Sequence, residues 1–229
     1  MPRWAMVIDL SKCVACQACS VACMTENNVP ISSQDNEAKG RSIRWLEMLV
    51  NAHEEEYPDP KIRLMPRPCF QCWNPPCVRV CPVRATYKDQ QGLVGQIYAR
   101  CIGCRMCTVA CPYAVRYFNW KKAEWPDEME PMLSPNVAIR PKGVVERCTF
   151  CHHRLQAARE QARIEGRELK PEGDYVPACV QSCPSNAMYF GDLNDPSTAV
   201  HKLSKSRRAF VVFEELGTQP GVIYLIEEE

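Results

Sequence analysis

The segment Cys101-Ile102-Gly103-Cys104-Arg105-Met106-Cys107-Thr108-Val109-Ala110-Cys111-Pro112 constrains the fold more than any other stretch of the chain. Its C-x2-C-x2-C-x3-C-P spacing is that of a ligand loop for a 4Fe-4S cluster. Three thiols at intervals of three crowd one tetrahedral zinc, yet they reach three iron corners of a cubane from a single short loop. The fourth cysteine precedes a proline, which disfavours the α region for the residue before it. A helical turn therefore stops there, and Cys111 is directed toward a second cluster. Such a run predicts a partner run, and Cys69-x2-Cys72-x4-Cys77-x3-Cys81-Pro82 supplies it.

The pattern recurs toward both ends, as Cys13-x2-Cys16-x2-Cys19-x3-Cys23 and as Cys148-x2-Cys151 with Cys179-x3-Cys183-Pro184. All 16 cysteines fall into four groups of four. A disulfide framework also favours an even count, but it gives no reason for recurring C-x2-C pairs or for a proline after most of the terminal cysteines. Four groups match four 4Fe-4S clusters. The reading from a different class is a zinc-stabilised interaction protein, which needs fewer and differently spaced ligands.

A chain of 229 residues can hold one domain or two and bury a core. Thiolate ligands call for assembly where thiols stay reduced. Residues 1–9 show no basic leader, apolar core and cleavage site, so no signal peptide is expected. No stretch approaches the roughly 18 apolar residues of a membrane span, so the chain is expected to be soluble by itself and to reach a membrane through a partner. The formal net charge of +1 counts cysteines as neutral; sixteen thiolates against four doubly positive cores bring the loaded chain to about −7. Lys12, Arg79, Arg84, Arg100, Arg105, Arg116, Arg147 and Arg154 all lie near cysteines. Most read as solvated surface charge and a minority as groups that raise cluster potentials. Acidic residues interleave with them, which argues against a nucleic-acid partner.

Arg3 to Asp9 reads as a strand entering the first cysteine loop, Thr25 to Arg41 as a polar excursion, Ile43 to Val50 as a weak strand, and His53 to Pro60 as an acidic surface loop. In the middle, strands at Ile62–Met65, Ala85–Lys88, Leu93–Tyr98 and Ala114–Trp120 alternate with the Cys69 and Cys101 loops, a helix near Val78–Cys81 and a turn at Asp89–Gly92. That is the order of a two-cluster ferredoxin. The outer cysteines repeat the unit in opened form. The fold class is therefore α+β: two interleaved bacterial two-cluster ferredoxin-like modules with loop insertions and a C-terminal helix-strand extension. The inner module spans 61–120, and the discontinuous outer one 1–60 plus 121–229. Lys121–Lys142 reads as an ordered loop or strap, and Leu155–Glu165 as a solvated helix stopped by Gly166. In the tail, Asp195-Pro196 reads as a helix start before a basic helix to about Arg207, with strands at Ala209–Glu214 and Val222–Ile226 closing the fold. His152-His153 follow a complete four-cysteine set and are not expected to bind metal. Trp73, Trp120, Trp125, Tyr113, Tyr117 and Phe118 read as packing that keeps water from the clusters. No residue can be named as catalytic: there is no Ser-His-Asp set, acid-base carboxylate pair, Walker loop or G-x-G-x-x-G.

With these residues in view, the chain resembles the iron-sulfur subunit of the dimethyl sulfoxide reductase (molybdopterin oxidoreductase) superfamily, nearest the polysulfide, tetrathionate and sulfite type. The resemblance rests on the four-group order, Asp9-x3-Cys13 with Glu26-Asn27-Asn28 after the first run, Asn74-Pro-Pro-Cys77 to Thr86, Cys101-Ile-Gly-Cys104, Cys111-Pro-Tyr, Cys148-Thr-Phe-Cys151 and Gly191-Asp-Leu-Asn-Asp-Pro196. It implies one cluster on Cys13, Cys16, Cys19 and Cys183, a second on Cys23, Cys148, Cys151 and Cys179, a third on Cys69, Cys72, Cys77 and Cys111, and a fourth on Cys81, Cys101, Cys104 and Cys107. Because Cys104 is present, the fourth is expected to be 4Fe-4S rather than 3Fe-4S. His152-His153 departs from the family's more usual acidic-His pair.

The resemblance further implies an electron-transfer subunit with no catalytic site of its own. It would stand between a large molybdopterin-type catalytic subunit, facing the first cluster, and an integral membrane quinone-binding subunit, facing the fourth. The location implied is peripheral and membrane-associated, with the periplasmic face favoured over the cytoplasmic. The alternatives are the relay of a quinone oxidoreductase complex whose large subunit lacks molybdenum and which exchanges electrons with a multihaem cytochrome, and a free-standing polyferredoxin.

Overall fold

A computed structural model of the chain describes residues 1–52 and 62–226; the acidic loop expected at His53–Pro60 lies outside them. In chain order the elements are β1 (Trp4–Asp9), α1 (Ala18–Glu26), α2 (Gln34–Ala38), β2 (Glu47–Ala52), β3 (Ile62–Arg67), α3 (Pro76–Arg79), β4 (Thr86–Lys88), β5 (Val94–Gln96), α4 (Met106–Val109) and β6 (Tyr117–Phe118). There follow β7 (Val145–Glu146), α5 (His152–Ile164), α6 (Ala178–Gln181), β8 (Met188–Asp192), α7 (Ala199–Ser204), β9 (Ala209–Phe210) and β10 (Val222–Leu225).

β1 is buried along its whole length because both of its faces are covered. Side chains alternate across a strand, so Trp4, Met6 and Ile8 enter the main core while Ala5 and Val7 pack with Val200, Ile223 and Leu225 on the other side. The sheet order is β8-β1-β10-β9. β8 runs antiparallel to β1, with Ile8 opposite Met188, and β10 runs parallel to it, with Met6 opposite Val222. The tail thus does more than close the fold, since it supplies an inner strand.

The cysteine loops flank short helices that pack in two pairs, α1 on α6 and α3 on α4. The β4–β5 hairpin turns at Asp89, whose Oδ1 accepts from the N–H groups of Gln91 (2.9 Å) and Leu93 (2.8 Å). Gly92 has φ +83°, and a Cβ there would fall 2.5 Å from the Trp73 ring.

Some elements differ from the sequence reading. The strands flanking the inner repeat, whose partners the sequence reading left open, pair outward, β3 with β2 and β6 with β7. The last of them shrinks from Ala114–Trp120 to two residues. Ala114 holds a left-handed φ of 52°, and beyond Phe118 the chain is carried off by Asn119, which exchanges backbone hydrogen bonds with Val144 and Gly143. α7 starts at a Thr198 cap, whose Oγ1 accepts from His201 N at 3.1 Å, not at Asp195-Pro196. Asp195 instead closes a preceding turn by accepting from Ser197 N at 2.8 Å. The C-terminal strand Ala209–Glu214 is reduced to Ala209–Phe210. α5 begins three residues before Leu155 and ends before Gly166, at φ +65°. The 121–142 insertion contains a 3-10 turn at Asp127–Met132 and is strapped down by Asn28, which donates to Ser134 O (2.9 Å) and Val137 O (2.7 Å) and accepts from Ser134 N (2.8 Å). Among the described residues, no helix is long and apolar enough to cross a membrane.

Candidate metal centres

Local backbone geometry explains how each run turns its thiols inward. In the first, residues two and four beyond Cys13, Ala15 (φ 52°) and Gln17 (φ 61°), are left-handed. Gly103 (φ 69°) and Arg105 (φ 61°) repeat this after Cys101, and Gln71 and Phe150 repeat its first half after Cys69 and Cys148. Residues three beyond each Cys-Pro junction, Arg84, Ala114 and Asn186, are left-handed as well. Such kinks tilt successive N–H groups toward one concavity, a nest suited to anionic sulfur. Accordingly Phe150 N donates to Cys148 Sγ (3.4 Å), Ala187 N to Cys183 Sγ (3.4 Å) and Thr86 N to Cys81 Sγ (3.5 Å). At Cys81 burial would raise the thiol pKa, but the N–H groups of Thr86, Ala85 and Val83 outweigh it and bring it down.

Cys13, Cys16, Cys19 and Cys183 line one cavity, and Cys69, Cys72, Cys77 and Cys111 line another. The Cys23 thiol is pushed well up by burial and then by repulsion from Cys148, Cys179 and Cys151. Cys107 is raised by burial, with Cys77 and Cys101 adding repulsion. Cys81 is half-buried and Cys104 exposed, and neither enters the buried cluster around Cys77 and Cys107.

Repulsion also reaches between thiols of separate runs. Cys148 feels Cys69, and Cys107 feels Cys77. Burial first, then Cys13 at Cys19 and Cys69 at Cys148, push these thiols to about 11 and about 12. Neutral thiols at such values become good ligands only when a cation replaces their protons. The donor set fits a polynuclear iron-sulfur centre. Four thiols surround each cavity, backbone N–H groups point at sulfur, and among the described residues no three His, Cys, Asp or Glu side chains converge as a single ion requires.

Polar groups behind the thiols were only partly legible. Asn27 Nδ2 reaches Cys23 Sγ (3.8 Å) and Cys151 Sγ (3.7 Å) while donating to Cys23 O (2.9 Å). Its signal in the sequence was its place one turn after Cys23. Glu26 takes a bidentate grip from Arg154, at 2.6 and 2.7 Å, and lies 2.6 Å from His153 Nε2. His153 is thereby engaged by a carboxylate. Tyr113 stacks on Phe70 with centroids 3.9 Å apart and holds Thr218 at 2.5 Å, beside Cys72 and Cys111. Trp120, by contrast, is 37 % exposed and stacks under Arg41 and Arg105.

Lys12, Arg79, Arg84, Arg100 and Arg105 are exposed, as surface charge should be, but Arg116 and Arg147 are buried. Arg147 donates to the carbonyls of Cys148, at 2.5 Å, and Val94. Arg140 and Glu146, which carried no signal in the sequence, form an ion pair whose side chains are 2 % and 0 % exposed. Arg140 also clamps Asn27 O (2.6 Å) and Asn28 O (2.7 Å).

Fold and site define a chain that binds iron-sulfur clusters. Residues 60–127 match the family model of the 4Fe-4S dicluster domain. The chain is 49% identical over 230 residues to the iron-sulfur cluster-binding subunit of menaquinone reductase from Nitratidesulfovibrio vulgaris, covering 99% of this chain and 90% of that one. It is 36% identical to the iron-sulfur subunit of arsenate respiratory reductase from a Shewanella species (97% and 96% covered) and 34% identical to a subunit of the tetrathionate reductase of Salmonella typhimurium (97% and 72%). The chain belongs to the family of iron-sulfur electron-transfer subunits of dimethyl sulfoxide reductase-type complexes.

Proposed function

We propose that the chain carries electrons through four 4Fe-4S clusters held by the four cysteine sets, Cys13/Cys16/Cys19/Cys183, Cys23/Cys148/Cys151/Cys179, Cys69/Cys72/Cys77/Cys111 and Cys81/Cys101/Cys104/Cys107, in two interleaved ferredoxin-like modules, 61–120 within 1–60 plus 121–229. The observation that carries this reading is the pair of four-thiol cavities, Cys13/Cys16/Cys19/Cys183 and Cys69/Cys72/Cys77/Cys111, each assembled from separate stretches of the chain. The α1–α6 and α3–α4 packing supports two modules. Each cluster, when bound, supplies a one-electron couple. The protein's own residues fix its place, aim N–H groups at its ligands and exclude water with rings such as Phe70, Phe150 and Tyr113.

The two exposed thiols are Cys16 and Cys104, in the first and last sets, each amid exposed apolar side chains: Val14 and Val21 beside Cys16, Ile102, Met106 and Val109 beside Cys104. These are the ends where electrons would enter and leave, covered by a large catalytic-type subunit and by an integral membrane quinone-binding subunit, with the assembly on the periplasmic face. The relative at 49% identity is named for menaquinone rather than for an oxyanion. That favours a complex that delivers electrons to a quinone, with a large subunit of either kind, molybdopterin-bearing or metal-free and served by a multihaem cytochrome.

The test is iron, zinc and acid-labile sulfide per chain on anaerobically purified protein, with electron paramagnetic resonance before and after dithionite. About sixteen irons and coupled signals are expected. Zinc without sulfide overturns the reading. Cys104→Ser should remove about one iron, leaving a 3Fe-4S signal, whereas Cys107→Ser should remove about four. A co-purified large subunit assayed for pterin and molybdenum separates the two kinds of complex.

A further inference from the structure

Arg116, just before β6, is 6% exposed. Its Nη2 donates to Thr86 Oγ1 and Gln96 Oε1, both at 2.9 Å and both neutral. Its Nε and Nη1 are buried and meet no acceptor. The side chain lines the cavity of Cys69, Cys72, Cys77 and Cys111. Cys77 of that cavity packs with Cys107 in one buried cluster. Cys77 and Cys107 fall in different sets, the third and the fourth.

The other buried guanidinium groups are provided for in different ways. Arg140 has Glu146, and Arg147 gives its two Nη groups to carbonyls. Arg116 alone of the three keeps two of its three nitrogens unmet, and a buried cation so placed is strongly disfavoured unless something anionic answers it. The groups placed to do so are sulfurs, at the one junction where the third and fourth sets face each other.

We propose that Arg116 is the shared counter-ion of the third and fourth centres, a single fixed positive charge that favours the reduced state of both. The inference rests on the four-cluster reading. Each added electron makes a centre more negative, and a cation held in a water-poor site stabilises that state more than the oxidised one. The electron comes from the adjacent centre and passes to the next, and Arg116 exchanges neither an electron nor a proton. The β4–β5 hairpin keeps the guanidinium in place, and the same Thr86 that accepts from Arg116 donates its N–H to Cys81 Sγ at 3.5 Å.

The experiment is a redox titration monitored by electron paramagnetic resonance on the cluster-loaded full chain, with iron counted in each sample, for wild type, Arg116→Met and Arg116→Lys. Arg116→Met should make both inner centres harder to reduce by about tenfold or more in equilibrium constant, about 59 mV for a one-electron couple. The outer pair should move less than about threefold, and Arg116→Lys should keep the inner pair within that range. Unmoved inner potentials, an equal shift of all four centres, or a lysine variant as shifted as the methionine one would overturn the proposal. If Arg116→Met sheds inner iron, full occupancy in Arg116→Lys supports a need for charge, and loss in both overturns it. A wild type short of iron and sulfide would instead sink the four-cluster reading itself.

Discussion

Replacing Arg140 by methionine removes the cation paired with a carboxylate that is 0 % exposed. It also strips donors from Asn27 O, Asn28 O and Ala138 O, the last at 3.1 Å, and takes away a charge stacked 5.0 Å over the Trp45 ring. Breaking a buried pair from one side costs about 3–5 kcal/mol, because the remaining charge stays buried without compensation. For a chain of this size each kcal/mol is worth about 2–4 °C, so the midpoint of thermal unfolding should fall by roughly 6–20 °C. Loss of iron makes unfolding irreversible, so the second assay is a rate, the bleaching of cluster absorbance at fixed temperature. A barrier lower by about 3 kcal/mol speeds it roughly a hundredfold. Arg140→Met/Glu146→Met should be far milder than the two single changes combined, since the double variant leaves no orphan charge. If the effects add within about 0.5 kcal/mol, or if Arg140→Met moves the midpoint by less than about 2 °C, the pair does not hold the strap and this reasoning is wrong.

Gly103 has φ +69°, and a Cβ there would sit 2.3 Å from Gly143 O, whereas a Cβ on Gly143 itself meets nothing within 4 Å. Gly103→Ala should therefore accelerate iron loss well beyond Gly143→Ala, whose penalty is only the left-handed backbone, about 1–2 kcal/mol; equal rates would contradict the close approach. Arg154, then His153, hold Glu26 at about 2, below its ordinary 4.5. A depressed carboxylate stabilises above its unfolded pKa and loses that contribution as pH falls through the folded value. The stability gap between wild type and Glu26→Gln should thus be full at neutral pH and close between about 4.5 and about 2; a gap that stays constant through that window would remove Glu26 from the account.

The cysteine runs were legible because ligand spacing is a local property, and their left-handed turns recur at fixed offsets, as at Ala15 and Gly103. β1 was legible for its continuous apolar character. What escaped was whatever depends on distant partners. Alternation marks a strand but not the strand it joins, so the pairing of β3 with β2 and of β6 with β7 had no signature. Asp195-Pro196 and Thr198 are both plausible helix starts, and only the hydroxyl of Thr198, bonded to Asp192 O and Asp195 O at 2.9 Å, decides between them. Arginine codes for charge, and nothing in a linear pattern tells Arg105, at the surface, from Arg116, in the interior.

The place of β10 bears on how the molecule is made. It lies beside β1, yet it comes from residues 222–225, about two hundred positions later. While the ribosome is still at work, β1 has one edge without its neighbour, and the outer thiols on α1 wait for those near α6. The block from Cys69 to Cys111 has every one of its cysteines early. Synthesis order therefore makes the sheet of β1 the last part of the fold to close, since β8, β9 and β10 all follow the final cysteine, Cys183.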